Sequence, residues 1–224
     1  MAKKNQKKDE LLPYHIKFND EQKEALNSIS KNRITILSGA AGTGKTLLAV
    51  YSALKYLSEE KVERIIITRP AVTTEDFGFL PGDLQEKYTN VYLLPIIDFI
   101  NKFGFINQKS FQTLLDEKKI IPLPLAYMRG VTADNAFIIL DESENVTEKQ
   151  MLMVLTRIGK GSTMVVSGDI KQCDLNIKRD KSGLEKVIKL STQDKCKDFI
   201  KHLELTKIER DEIVGVILNE WEKI

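Results

Sequence analysis

The chain is poor in the features that would take it out of a reducing, aqueous compartment. Its 224 residues include two cysteines, Cys173 and Cys196. Two thiols without metal-ligand spacing supply no disulfide framework, so free thiols in a reducing cytosol are expected. No stretch approaches the ~18 consecutive apolar residues of a membrane-spanning helix, and the lysine-rich start is not followed by an apolar secretory core. A soluble, cytoplasmic chain with no membrane partner is the expectation. Charge excess is also lacking: 34 Lys and Arg against 32 Asp and Glu leave a net +2, too little to imply nucleic acid by itself. The local clusters Lys3, Lys4, Lys7, Lys8 and Lys178, Arg179, Lys181 read most simply as a solvated tail and a solvated loop. There is no internal repeat, and low complexity is confined to the first eight residues.

What is present is a phosphate-binding loop. Residues 39 to 46 read Gly39-Ala40-Ala41-Gly42-Thr43-Gly44-Lys45-Thr46, directly after the apolar run Ile34 to Ser38 and before the helix-like stretch Leu47 to Leu57. The glycines let the backbone approach the phosphates and turn N–H groups toward them at a helix N-terminus. Lys45 then reaches the β- and γ-phosphates, and the Thr46 hydroxyl serves a magnesium ion. A Gly-rich turn carrying a surface lysine is the plain alternative, and the flanking strand and helix patterns argue against it.

At this length one domain can bury a sizeable core without staples. Residues 1–12 read as a flexible basic tail and 13–224 as a single domain, with a helix from about Asp20 to Ile29. Short β-rich runs at Ile34–Leu37, Arg64–Thr68, Phe137–Leu140, Thr163–Ser167 and Phe199–Leu205 alternate with helical patterns, which implies an α/β fold with a mostly parallel sheet covered on both faces. Residues 71–119, interrupted by Gly78, Pro81, Gly82 and Pro95, read as a helical, insertion-like region.

Three of the runs end in polar clusters, and ligands of open α/β sheets bind outside the carboxyl ends of the strands. Phe137 to Leu140 runs into Asp141-Glu142. Asp141 at the strand end suits magnesium, and Glu142 one residue on suits the attacking water. A kinase needs no such glutamate, because its acceptor hydroxyl comes from the substrate, so hydrolysis is preferred over small-molecule phosphorylation. Two exposed acids starting a helix are the alternative. Thr163 to Ser167 runs into Gly168-Asp169-Ile170-Lys171-Gln172, where Asp169 and Gln172 are candidates to sense the γ-phosphate, although Gly-Asp alone commonly makes a turn. Arg69 and Arg129 are candidates for substrate or γ-phosphate contact, or else pack their stems over the sheet edge or pair with a nearby acid. Phe77, Phe79, Phe103 and Phe105 are candidates for base stacking, or else core anchors.

Seven blocks taken in order, the P-loop, Thr68–Val72, Gly78–Leu84, Ala126–Gly130, Phe137–Glu142, Leu155–Gly159 and Met164–Asp169, resemble the PhoH-like family. That resemblance implies a RecA-like ATPase core related to superfamily 1 helicases, with ATP and Mg2+ as ligands and a link to phosphate starvation and RNA metabolism. By position, Gln22 resembles an adenine-reading glutamine, Asp169 and Gln172 match a helicase-like Gly-Asp-x-x-Gln motif, and Arg210 aligns with an arginine near the family's C-terminus. Two departures stand out. Ser143-Glu144-Asn145 replaces the usual Ala-Gln-Asn, and Asp211-Glu212 stands where His-Pro is common. A translocase of superfamily 1 closes its site between two cores, and this chain has one P-loop. A homo-oligomeric ring, a hexamer by analogy with RecA-like rings, is therefore expected, with Arg210 or Arg157 as an arginine finger, or else a poor ATPase awaiting a partner; a helix salt bridge to Glu209 or Asp211 is the alternative for Arg210. The reading is a magnesium-dependent ATP hydrolase acting on RNA or single-stranded DNA, with a nucleotide-gated switch on a protein partner as the rival.

Overall fold

The computed structural model describes residues 16–70, 97, 100, 108–175 and 181–209. Six β-rich segments pair into one sheet: β1 (Ile34–Gly39), β2 (Arg64–Thr68), β3 (Ile120–Pro122), β4 (Ala136–Leu140), β5 (Thr163–Gly168) and β6 (Ile200–Leu205). Their order is β3-β2-β4-β5-β1-β6, and every pairing is parallel. Strands β4 and β5 are buried at every position, which is why they read as unbroken apolar runs rather than alternating ones.

The two faces of the sheet are nonetheless sorted by the period-2 rule. Leu37, Ile65, Ile67, Phe137, Ile139 and Val165 face one layer, against α1 (Asp20–Lys31), α2 (Lys45–Ser58) and Phe111 of α3 (Gln108–Asp116). Ile36, Ile66, Ile138, Leu140, Met164 and Val166 face the other, against the 3-10 turn Leu125–Met128, α4 (Glu148–Leu155) and α5 (Gly183–Ser191). Local signals start these helices. Asn19 with Gln22, and Thr147 with Gln150, form reciprocal capping boxes at α1 and α4, and Ser182 caps α5.

Five strands fall on the expected runs within a residue or two, and the parallel α/β architecture is as expected. Strand β3 was not expected. It is three residues long, ends in Pro122, and begins where the insertion-like region was taken to stop. Proline argues against a strand from sequence, yet an edge position tolerates it, and the ladder bond to the Ile67 carbonyl comes from the Leu123 N–H at 2.9 Å. Of that region, residues 108–116 form the helix α3. Phe77, Phe79, Phe103, Phe105, Arg210 and the 1–12 tail lie outside the described residues.

The strand order creates the site. β5 lies between β1 and β4, so the loops after β1, β4 and β5 open side by side at the carboxyl edge of the sheet. The edge is tight where β1 meets β6: Gly39 has φ +141°, and a Cβ there would lie 2.1 Å from the Leu205 carbonyl oxygen. Gly130, at φ +84°, has open space around it. We therefore expect Gly130→Ala to cost about 1 kcal/mol, the strain of a left-handed residue alone, and Gly39→Ala at least about 3 kcal/mol, since backbone of β6 must also move. Urea denaturation of both variants checks this; equal costs would contradict it.

Candidate active site

The residues after β1 form the loop the sequence implies. Gly44, at φ 94°, stands at the N-cap of α2 with no side-chain cap. Gly44 has no side chain to cap the first turn of α2, and a helix N-terminus of this kind suits an anion. Lys45 arches back over the loop, its Nζ donating to the Gly39 carbonyl at 2.5 Å and the Ala40 carbonyl at 2.9 Å. Thr43 pins the loop through Oγ1 to the Ala40 carbonyl at 3.0 Å.

Thr46 faces the end of β4. Its hydroxyl lies 3.3 Å from each carboxylate oxygen of Asp141. Asp141 is 6% exposed, and Ser167 at the end of β5 donates to its Oδ1 at 2.7 Å. This oxygen-rich corner suits a hard divalent cation. Among the described residues no group of three His, Cys, Asp or Glu could hold a metal, so a cation here would take one carboxylate, one hydroxyl, water and phosphate oxygens. That is the coordination habit of magnesium.

Glu142 follows in the left-handed region, φ 52° and ψ 40°, an uncommon conformation for a residue with a side chain. Its carboxylate is 43% exposed and ion-paired to Arg69. Arg69, at the end of β2, is nearly buried, and its Nε is also 4.0 Å from Asp141 Oδ2. Of the two readings open for Arg69, pairing with nearby acids is what the described residues show.

The β5 loop is tied to the β4 loop through Glu144, whose Oε2 accepts the Asp169 N–H at 3.1 Å. Burial raises the Glu144 pKa, and the neighbouring Asp141 charge adds to that; its backbone hydrogen bonds and Lys45 oppose the rise. Asp169 is buried and caps the 3-10 turn Ile170–Gln172 through the Lys171 N–H at 3.0 Å. Gln172 is exposed on the same turn. The departure from the family pattern at Ser143-Glu144 is thus a buried one: both residues pack against Gly168, where a Cβ would lie 2.5 Å from Glu144 Oε2 and 2.7 Å from Ser143 Oγ.

The structure brings together Gly39 to Thr46, Asp141, Glu142, Asp169 and Gln172. Gln22 joins them from α1, its Nε2 donating to the Thr43 carbonyl at 3.1 Å. Arg157 does not join them. It follows α4 at the amino edge of the sheet, where its carbonyl accepts the Ala133 N–H just ahead of β4, and its guanidinium reaches Thr156. Arg129 is exposed after the Leu125–Met128 turn. Arg210 lies outside the described residues, but the Glu209 N–H donates to the Gly42 carbonyl at 2.9 Å, so the segment after β6 runs onto the chain's own P-loop. Sequence reading missed Ser167 and the Glu144 to Asp169 bond. The available signals were a hydroxyl closing an apolar strand and an acid one 3-10 turn beyond Asp141.

The family model described as PhoH-like protein matches residues 16–222. A PhoH-like protein of Bacillus subtilis is 41% identical over 205 residues, covering 90% of this chain and 62% of that protein. A PhoH-like protein of Synechocystis is 47% identical over 165 residues, covering 73% and 49%. The chain therefore spans about half to three-fifths of the length of these relatives. A looser likeness, with a TM-score of 0.47 at 17% identity, relates 92% of this chain to 44% of the Pif1 helicase from Candida albicans. Both the sequence blocks and the match over nearly the whole chain lead to one conclusion: the chain belongs to the PhoH-like protein family.

Proposed function

We propose that this chain is a magnesium-dependent ATP hydrolase. The observation that carries the reading is the meeting, at one sheet edge, of an uncapped helix N-terminus, the Thr46 to Asp141 contact and the Glu142 carboxylate next in sequence. The α2 N–H groups and Lys45 hold the triphosphate. Thr46 and Asp141 would hold magnesium, which would supply positive charge to the phosphate. Glu142 orients the attacking water and accepts its proton, for which it must leave Arg69. Asp169 and Gln172, tied to the β4 loop by Glu144, respond to loss of the γ-phosphate.

Two finer elements belong to the same proposal. Hydrolysis serves movement on, or regulation by, single-stranded RNA or DNA. A ring of identical subunits, a hexamer by analogy, completes each site with an arginine from a neighbour. Arg157, on the sheet edge away from its own P-loop, can meet a nucleotide only in another copy; Arg210 is the other candidate.

Lys45→Ala should weaken triphosphate binding about 10- to 150-fold, the loss of a charge-assisted contact, while Glu142→Gln should bind normally and hydrolyse roughly 10²- to 10⁴-fold more slowly. Phosphate release and equilibrium binding measured on the same proteins check this; a Glu142→Gln protein with the wild-type rate would remove Glu142 from its role. Single-stranded RNA should stimulate the wild type with a steep salt dependence, whereas no binding at low salt would favour the protein-switch reading.

An arginine finger contributes on the order of 10³ to 10⁵ in rate. Lys45→Ala and Arg210→Ala (or Arg157→Ala) subunits should therefore be inactive separately and regain partial activity when co-assembled. Full activity in a strictly monomeric protein would rule out the ring.

A further inference from the structure

The glutamine that resembles an adenine reader has both ends of its amide already in use. Gln22 is 3% exposed. Its Oε1 accepts the Asn19 N–H at 3.2 Å, closing the capping box of α1, and its Nε2 donates to the Thr43 carbonyl at 3.1 Å. A backbone N–H only donates and a carbonyl only accepts, so this pair of partners fixes which way the amide faces. The Nε2 also packs over Gly44, where a Cβ would lie 2.7 Å from it. A glutamine reads adenine by presenting one donor and one acceptor together to N6 and N7. One N–H and one lone pair of the amide stay uncommitted, but Gln22 is 3% exposed and its Nε2 lies against Gly44, so a base meets that edge only if Gln22 shifts from the P-loop.

We propose that Gln22 is a positioning residue for the P-loop rather than a reader of the base, and that the chain accepts purine and pyrimidine nucleoside triphosphates alike. The proposal rests on the hydrolase reading above and names its substrate class. Gln22 bridges α1 to Thr43 and Gly44, the two residues that lead into Lys45 and the phosphate-facing N–H groups of α2. Its effect is thus felt through phosphate binding, which every triphosphate shares. Glycine at position 44 is required twice over, by its φ of +94° and by the amide lying against it.

The test compares ATP, GTP, CTP and UTP on the wild-type chain and on Gln22→Ala and Gln22→Glu, by equilibrium binding and by magnesium-dependent phosphate release. The wild type should treat the four within about threefold, well inside the roughly 5- to 150-fold discrimination of a bidentate base contact. Gln22→Ala should raise KM for all four by a common factor of roughly ten with kcat little changed. Gln22→Glu, which keeps the acceptor for Asn19 but loses the donor to Thr43, should do the same and guards against a variant that fails to fold. A wild-type preference for ATP of about tenfold or more, whether or not Gln22→Ala erases it, would overturn the proposal. Hydrogen exchange at the amides of residues 42–46, without nucleotide, should speed up in both variants, and unchanged exchange would overturn the brace. If no triphosphate bound the wild type, the hydrolase reading would fail, and exchange would still decide whether Gln22 holds the loop.

Discussion

Four carboxylates crowd the ends of two adjacent strands, and the rest of the site is arranged around their repulsion. Asp141, Glu142 and Glu144 leave β4 within four residues, and Asp169 leaves the neighbouring β5. Each is handled differently. Asp141 accepts from Ser167 and Thr46, Glu142 has a left-handed backbone and is paired with Arg69, and Glu144 is buried with its pKa raised. Asp169 spends its carboxylate on a cap. Like charges this close in a partly dry site are costly unless each finds a separate partner. The partners come from the ends of β2 and β5 and from Thr46 beside the P-loop, so the acids are placed only when these elements are assembled together.

That dependence links local chemistry to topology. Parallel pairing points all the strand ends the same way, and the insertion of β5 between β1 and β4 sets Ser167 and Asp169 beside both the P-loop and the acids. Hydrogen bonds cross between the loops: Glu144 accepts from the Asp169 N–H and from Cys173 Sγ, Asn145 from the Asp174 N–H, Thr43 from Gln22, and Gly42 from the Glu209 N–H. On the C-terminal side Glu21 accepts from the Thr206 and Lys207 N–H groups and from the Thr206 hydroxyl, which ties the start of α1 to the segment after β6.

Much of this was legible in the residues. Continuous apolar runs ending in polar clusters marked β1, β2, β4 and β5, because strands buried on both faces cannot hide their composition. The P-loop and Asp141-Glu142 were readable because their chemistry demands those types in that order. What escaped was set by tertiary context. Strand β3 is too short and too proline-rich to announce itself, and exists because β2 offers it an edge. The Ser167 to Asp141 and Glu144 to Asp169 bonds join residues 26 and 25 positions apart, which no local pattern encodes. Gln22 was noticed for its position, while its engagement with Thr43 depends on α1 lying against the loop.

The central claim is that this edge hydrolyses a magnesium-bound triphosphate. The most direct measurement is release of inorganic phosphate from ATP by the purified chain as magnesium is titrated in and then chelated. The account predicts release that rises with magnesium, saturates, and stops on chelation, with ADP formed in equal amount. Tight, magnesium-dependent ATP binding without phosphate release, or transfer of the γ-phosphate to another acceptor in place of water, would contradict it.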